Sequence, residues 1–160
     1  MTPRTVLQYA ATAMAWWWLM MAVHELGHVL GCLFTGATIE AVILWPWTIS
    51  QTVRSGSAAP LVDTWSGPIV GAVLPVLIWL AFRRWRHVSW IGGWAGFCLV
   101  ANGVYLGVGW IDAVGDAGDL LHLGMPTWVL GVVGGLGLAA GLWVWHVVVL
   151  SLRPERSAAT

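Results

Sequence analysis

The sequence predicts an all-α membrane protein with four transmembrane helices. Of the 160 residues, 59% are hydrophobic and only 9% are charged, which is far from the balance of a soluble domain. Four apolar segments are each long enough to supply the about 20 residues that a spanning helix needs. The arginines are also unevenly distributed between the intervening loops, as expected of a membrane protein with a fixed orientation.

The four predicted spans cover residues 6–34, 65–82, 88–111 and 127–150. We expect them to form a single domain over residues 1–152, followed by a disordered cytoplasmic tail at residues 153–160. The first segment is too long for the apolar part of a signal peptide. It is therefore interpreted as a retained span.

The basic residues predict the orientation of the spans. In a four-span arrangement Arg54 lies on one side of the membrane, and the other six arginines lie on the opposite side: Arg4, Arg83, Arg84, Arg86, Arg153 and Arg156. The positive-inside rule then places both termini in the cytoplasm. Because all seven basic residues are arginine and none is lysine, the composition indicates a GC-rich bacterial genome and a bacterial plasma membrane.

Charge and glycine patterns limit the partners. The net charge is zero and there is no basic run, so nucleic-acid binding is not expected. The predicted environment is the lipid bilayer.

The fourth span carries two small-xxx-small pairs, formed by Gly131, Gly135, Gly137 and Gly141. Such pairs let another helix approach closely, either within the chain or in a homo-oligomer, and both readings remain open.

The segment HELGH, residues 24–28, lies inside the first apolar segment and fits the metal-binding pattern HExxH. Positions four apart on a helix point in nearly the same direction, so His24 and His28 can present two imidazole nitrogens to one ion. Ionisable groups in a span are costly and indicate function. The alternative, two buried histidines hydrogen-bonded to Glu25, leaves that cost without a functional gain. The pattern therefore predicts a zinc (Zn2+) site.

The residue types also predict catalysis at this site. Zinc lowers the pKa of a bound water towards about 7, and a nearby carboxylate can accept its proton as the water attacks a carbonyl. Glu25, beside the predicted ion and not on it, is the predicted general base. A third ligand is still needed. The aspartates of IDAVGDAGDLLHLG, after the third span, lie on the same side of the membrane as HELGH: Asp112, Asp116 and Asp119.

Together these motifs resemble the site-2 protease family of intramembrane zinc metallopeptidases. That family pairs an HExxH with an aspartate in a D-G-x-x-L type motif near a later span, and DAGDLL, residues 116–121, is similar with Ala117 in place of glycine. The resemblance implies that Asp116 is the third ligand, with Asp119 next and Asp112 last. SGPIVGAVLP, residues 66–75, is similar to the opening of the family's middle core helix.

Two further features of the family have counterparts here. Between the first two spans, TIEAVIL and WTISQTVR predict two strands, the second by its period-two alternation of apolar and polar residues. The resemblance implies a membrane-associated β-hairpin that aligns an unwound substrate by strand addition. An irregular interfacial loop is the alternative. Asn102 resembles the family's asparagine that donates to the tetrahedral oxyanion, although 14 residues separate it from Asp116 and no proline intervenes. A helix-packing role for Asn102 also remains open.

The sequence therefore predicts a minimal intramembrane zinc endopeptidase that cleaves a transmembrane protein or peptide substrate. His24, His28 and Asp116 are the predicted ligands, and Glu25 and Asn102 the predicted catalytic residues. Cys32 continues the spacing of four from His28, and the alternatives for it are a thiolate ligand that closes the site and a small packing residue. The main alternative function is a catalytically inactive zinc-binding protein that acts as a partner or regulator of another membrane protein.

Overall fold

The computed structural model describes residues 2–45, 47–85 and 88–152. These residues form five helices and one two-stranded antiparallel sheet. The predicted tail at residues 153–160 lies outside the described residues. So do three of the arginines used for the orientation, Arg86, Arg153 and Arg156.

Four helices in the described chain are long and apolar enough to cross a membrane, which confirms the predicted number of such segments. They are α1 (Pro3–Thr35), α2 (Pro60–Ala81), α3 (Val88–Gly109) and α5 (Thr127–Ser151). The largest difference from the predicted bounds is at the start of α2. Proline fits the first turn of a helix because its missing N–H needs no partner there, and α2 accordingly begins at Pro60.

A short helix, α4 (Gly115–His122), lies between the third and fourth predicted spans, where no helix was predicted. Its Ala117 and Leu120 are fully buried against Leu106 of α3 and Leu130 of α5. An isolated helix of eight residues is not stable in water, so tertiary packing stabilises this one. The sequence pattern did not reveal that packing.

The helices α1 and α3 run in the same direction. Trp16 of α1 lies against Gly93 of α3, and His24 is hydrogen-bonded to Asn102, so residue numbers rise together along the two helices. The helix α2 runs in the opposite direction beside α1. The C-terminal halves of α1 and α3 therefore lie at the same level, which places HELGH near the chain that follows α3.

The helices α3 and α5 pack through glycines. Gly134, Gly137 and Gly141 of α5 lie so close to the α3 backbone that an added Cβ would contact it. By contrast, Gly131 and Gly135 have open space around them. Of the four glycines singled out in the sequence, two therefore serve packing within the chain and two lie on an uncovered face.

The segment between α1 and α2 forms a β-hairpin and not an irregular loop. Gly36, in the left-handed region at φ 76°, ends α1 and turns the chain into the first strand. The strands are β1 (Thr38–Ile43) and β2 (Gln51–Ser55), paired antiparallel with one irregularity between Ile39 and Ala41. The association of this hairpin with a membrane stays a prediction.

Candidate metal centre

Two histidines of α1 converge on one point. His24 and His28 lie one turn apart in the C-terminal half of the helix, and both are buried. Their Nε2 atoms are 3.2 Å apart. The spacing of four therefore brings both imidazoles to the same side of α1, as a shared ligand site requires.

Asp116 reaches these histidines through a tight reversal of the chain. The helix α3 ends at Gly109, and the chain then turns through Ala113 and Gly115, both in the left-handed region at φ 49° and φ 52°. For a non-glycine residue such as Ala113 this conformation costs about 1–2 kcal/mol. The reversal starts α4 at the level of His24, and Asp116 lies in the first turn of that helix.

The three side chains are close enough to share an ion. Asp116 Oδ2 lies 2.8 Å from His24 Nε2, and Asp116 Oδ1 lies 3.1 Å from His28 Nε2. Two ligands of a tetrahedral zinc ion, each bonded at about 2.0–2.1 Å, are separated by about 3.3 Å. The observed spacings need only a small outward adjustment to reach that value. This buried group is the candidate metal site of the described residues.

The remaining ring nitrogens fix the direction of each imidazole. His24 Nδ1 donates to Asn102 Oδ1 at 2.7 Å, and His28 Nδ1 donates to the backbone oxygen of Asp63 at 2.8 Å. Since carbonyl oxygens only accept, a neutral ring carries its proton on Nδ1 and presents the Nε2 lone pair to the other two groups. Two lone pairs and a carboxylate then face each other. A positive charge must lie among them, supplied by a metal ion or by protons on the rings.

The charge of Asp116 suits a cation. Burial by itself would raise the pKa of its carboxyl, but hydrogen bonds and charge interactions with His24 and His28 outweigh burial and hold the pKa well below its usual range. The side chain therefore stays ionised. Two imidazoles and one carboxylate form a donor set typical of catalytic zinc sites, so the residues fit the predicted ion.

Glu25 lies in the same cavity as the three candidate ligands. This cavity has a volume of about 330 Å³ and is bounded by α1, α4 and the hairpin. Glu25 is only 2% exposed, and its Oε2 accepts a hydrogen bond from the Thr52 hydroxyl at 2.6 Å. Within the described ranges its Oε1 has no hydrogen-bond partner. One oxygen is therefore held in place, and the other can accept a proton from a water in the cavity.

The helix α2 supports the second histidine. An added Cβ at Gly67 would overlap the His28 imidazole, so glycine is needed for the ring to fit. Ser66 donates to the Asp63 backbone oxygen at 2.7 Å, the same oxygen that accepts from His28. The segment SGPIVGAVLP, singled out in the sequence, thus lies directly against the metal site.

Asn102 contacts the His24 nitrogen that does not face Asp116. Its Nδ2 donates to the Cys98 backbone oxygen at 2.9 Å, and its Oδ1 accepts from His24 Nδ1. Nδ1 and Nε2 lie on different sides of the ring, so His24 separates Asn102 from Asp116. Asn102 thus positions His24, and it lines the neighbouring apolar cavity and not the cavity that holds Glu25. Its oxyanion role stays a prediction.

The other candidate ligands lie away from the histidines. Asp119 is exposed, with its Oδ2 3.7 Å from Arg54 Nη2, and Asp112 is exposed as well. Cys32 is fully buried but does not belong to the candidate metal group of the described chain, so it is the packing residue of the two alternatives. Asp116 is the aspartate that the structure brings to His24 and His28.

Three residues of the site were missed in the sequence. Thr52 holds Glu25, Asp63 offers its backbone oxygen to His28, and Tyr105 accepts a hydrogen bond from the Asp116 backbone N–H at 3.1 Å. Thr52 is the buried position of β2 although it belongs to the polar phase of the strand alternation, so the pattern alone did not identify it. The roles of Asp63 and Tyr105 depend on helix packing and had no signal in the sequence.

Comparisons of the chain with protein-family profiles, with curated proteins and with solved structures found no match.

Proposed function

We propose that this protein is an intramembrane zinc endopeptidase of the site-2 protease type. One observation carries the proposal: His24, His28 and Asp116 direct their ligand atoms to one buried point, and Glu25 lies in the same cavity. A zinc ion held there would supply Lewis acidity and a more acidic water. A general-base role accounts for the burial of a fourth ionisable group, Glu25, in the same cavity as the ligands.

The residues of the chain divide the proton transfers and the positioning between them. Glu25 Oε1 accepts a proton from the attacking water and returns it to the leaving amine nitrogen. Thr52 keeps the carboxylate in place through Oε2. Asn102 and the Asp63 backbone oxygen keep the two imidazoles directed at the site.

A second cavity supports an apolar polypeptide as the substrate. It has a volume of about 520 Å³, lies between α1 and α3, and is lined mostly by apolar side chains such as Met20 and Phe97. It shares four lining residues with the metal cavity: His24, Ile49, Ser50 and Tyr105. An apolar side chain placed there therefore adjoins the reacting groups. A transmembrane segment is rich in such side chains, which favours it as the substrate.

The outer surfaces of the long helices support a membrane location. Large apolar side chains point away from the bundle, among them Leu33 at 70%, Phe34 at 85% and Leu136 at 66% exposure. Continuous apolar surface of this kind is stable in lipid and not in water. We propose an integral protein of the bacterial plasma membrane with both termini in the cytoplasm, following the arginine distribution.

The test compares zinc-loaded wild type with Glu25→Gln in proteoliposomes. The probes are single-span peptides that carry a donor and a quencher on either side of an apolar segment. We expect the wild type to cleave and Glu25→Gln to lose at least about 100-fold in rate, because the general base is removed while the ligands remain. Glu40→Gln, on the exposed strand β1, is the matched control and should cleave normally.

The same experiment separates the two candidate functions. Equal processing of every peptide by wild type and Glu25→Gln would remove the protease proposal. Zinc bound in both proteins with no cleavage in either would favour the zinc-binding partner or regulator instead.

A further inference from the structure

Tyr105 lies at the junction of the two cavities. It follows Asn102 by three residues on α3 and therefore lies on the same side of the helix. Its ring packs edge-on against His24, with ring centroids 6.1 Å apart, and it lines both cavities. Its hydroxyl therefore lies beside the candidate ligands in the metal cavity. Asn102, by contrast, lies on the opposite side of the His24 ring.

The hydrogen bonds of the Tyr105 hydroxyl leave its proton available. The oxygen accepts from the Asp116 backbone N–H at 3.1 Å, which uses a lone pair and not the O–H. Among residues 2–45, 47–85 and 88–152, no acceptor takes that O–H. A fixed hydroxyl beside Glu25 and Asp116 thus has a free proton to donate into the cavity.

The backbone at the start of α4 leaves room for this hydroxyl. An added Cβ at Gly115 would overlap the Tyr105 oxygen, and Gly115 also has a left-handed φ of 52°. Both constraints favour glycine at this position. The contact that fixes the Tyr105 oxygen therefore depends on the same reversal that delivers Asp116.

We propose that Tyr105, and not Asn102, donates the hydrogen bond that stabilises the tetrahedral oxyanion. The inference rests on the proposed protease function. The water oxygen bonds to the carbonyl carbon of the substrate while Glu25 takes the water proton, and the carbonyl π electrons move onto the carbonyl oxygen. Tyr105 donates to that oxygen and keeps its proton throughout. The C–N bond then breaks, the carbonyl re-forms, and the proton on Glu25 passes to the amine.

The test is Tyr105→Phe, which keeps the ring and removes the hydroxyl. We expect kcat on the proteoliposome peptides to fall by about 100- to 1000-fold, the loss typical of one oxyanion donor, with KM nearly unchanged. Zinc per chain should equal that of the wild type. A phosphinic peptide, whose tetrahedral phosphorus group resembles the oxyanion, should lose affinity by a similar factor. A peptide of the same sequence that has no tetrahedral group and is not cleaved should keep its affinity.

The matched control is Tyr9→Phe, because Tyr9 is the other tyrosine of the chain and is exposed near the start of α1. It should change none of these quantities. Full activity of Tyr105→Phe beside an active wild type would overturn the role of Tyr105 and leave the protease proposal intact. Loss of zinc in Tyr105→Phe would also overturn it, because the hydroxyl would then act by holding Asp116. A wild type that cleaves no peptide would remove the protease proposal, and the role of Tyr105 with it.

Discussion

The metal-site region and the α3–α5 interface pack by different means. The buried polar and charged residues of the described chain all lie in or next to the metal site: His24, Glu25, His28, Thr52, Asp63, Thr64, Asn102 and Asp116. The helix α5 contributes none of them. It packs on α3 through Gly134, Gly137 and Gly141, where the two backbones meet directly.

Because of this difference, the two regions tolerate different substitutions. The metal site depends on the chemical identity of hydrogen-bonding atoms, so a substitution of equal volume can still destroy it. The α3–α5 interface depends on the absence of side-chain volume, so a substitution there acts through steric overlap. Matched substitutions in the two regions should therefore separate zinc binding from stability.

The largest effect should come from the third ligand. Asp116→Ala removes an ionised donor from the buried group, and we expect zinc to fall from about one ion per chain to less than about a tenth. Zinc per chain, measured on detergent-purified and metal-replete protein, checks this. The control is Asp119→Ala, which alters an exposed carboxylate and should keep its zinc. The reverse result, with zinc lost only in Asp119→Ala, would break the assignment of the site.

The next effect should come from the residue that orients His24. Asn102→Leu leaves the His24 Nδ1–H without its acceptor, and we expect zinc affinity to fall by about 10- to 100-fold. Asn102→Asp retains an oxygen acceptor and should recover most of that affinity. Competition with a chelator measures both variants. Unchanged affinity with a reduced cleavage rate in Asn102→Leu would instead restore the oxyanion role predicted from the sequence.

A larger side chain in α5 should lower the stability of the protein and leave its zinc content unchanged. Gly134→Val places side-chain atoms against the backbone at Gly103 and Gly107, and overpacking of this kind costs about 1–3 kcal/mol. We expect a lower thermal unfolding midpoint in detergent and an unchanged zinc content. Gly131→Val, on the uncovered face, is the control for stability. A shift of Gly131→Val to a smaller assembly would support the predicted homo-oligomer through this face.

The smallest effect should come from the hydroxyl that holds Glu25. Thr52→Val preserves volume and removes one hydrogen bond to the carboxylate, and a bond to a charged group contributes at least about 1.5 kcal/mol. We expect an about tenfold lower cleavage rate in proteoliposomes at unchanged zinc content, which is the change that about 1.4 kcal/mol produces. Thr48→Val alters an exposed threonine of the hairpin turn and should behave as wild type. A rate equal to wild type in Thr52→Val would mean that Glu25 needs no support from the hairpin.

Much of the fold could be predicted because its signals are local. Apolar runs of about 20 residues identify four long helices, and the period-two pattern around Thr52 identifies a strand. The helix α4 could not be predicted, because it is too short to be stable alone and the packing of Ala117 and Leu120 stabilises it. The same limit applies to Tyr105, whose position relative to Asp116 depends on the left-handed turn between α3 and α4.

The site residues differ in the same way. His24, Glu25 and His28 follow from one helical repeat, and the structure gathers His24 and His28 as that repeat requires. The contact of Asn102 with His24 was not predicted, because sequence spacing measures distance along the chain. It does not show which side of the His24 ring a neighbour occupies. The partners of the two His24 nitrogens can be told apart only from the packing of α1, α3 and α4.

His24 and Asp116 are in contact although 92 residues separate them along the chain, a fact with consequences for biosynthesis. In the proposed membrane topology α1 would be inserted before α4 is synthesised, so His24 and His28 would lie in the lipid without the aspartate that contacts them. Ionisable groups in this state are costly in lipid, so the young chain is least stable in its first span. The proposed ion could be captured only after α3 has been inserted and the chain has reversed. Metal loading would therefore be a late step of assembly, and it would hold α1 and α4 together.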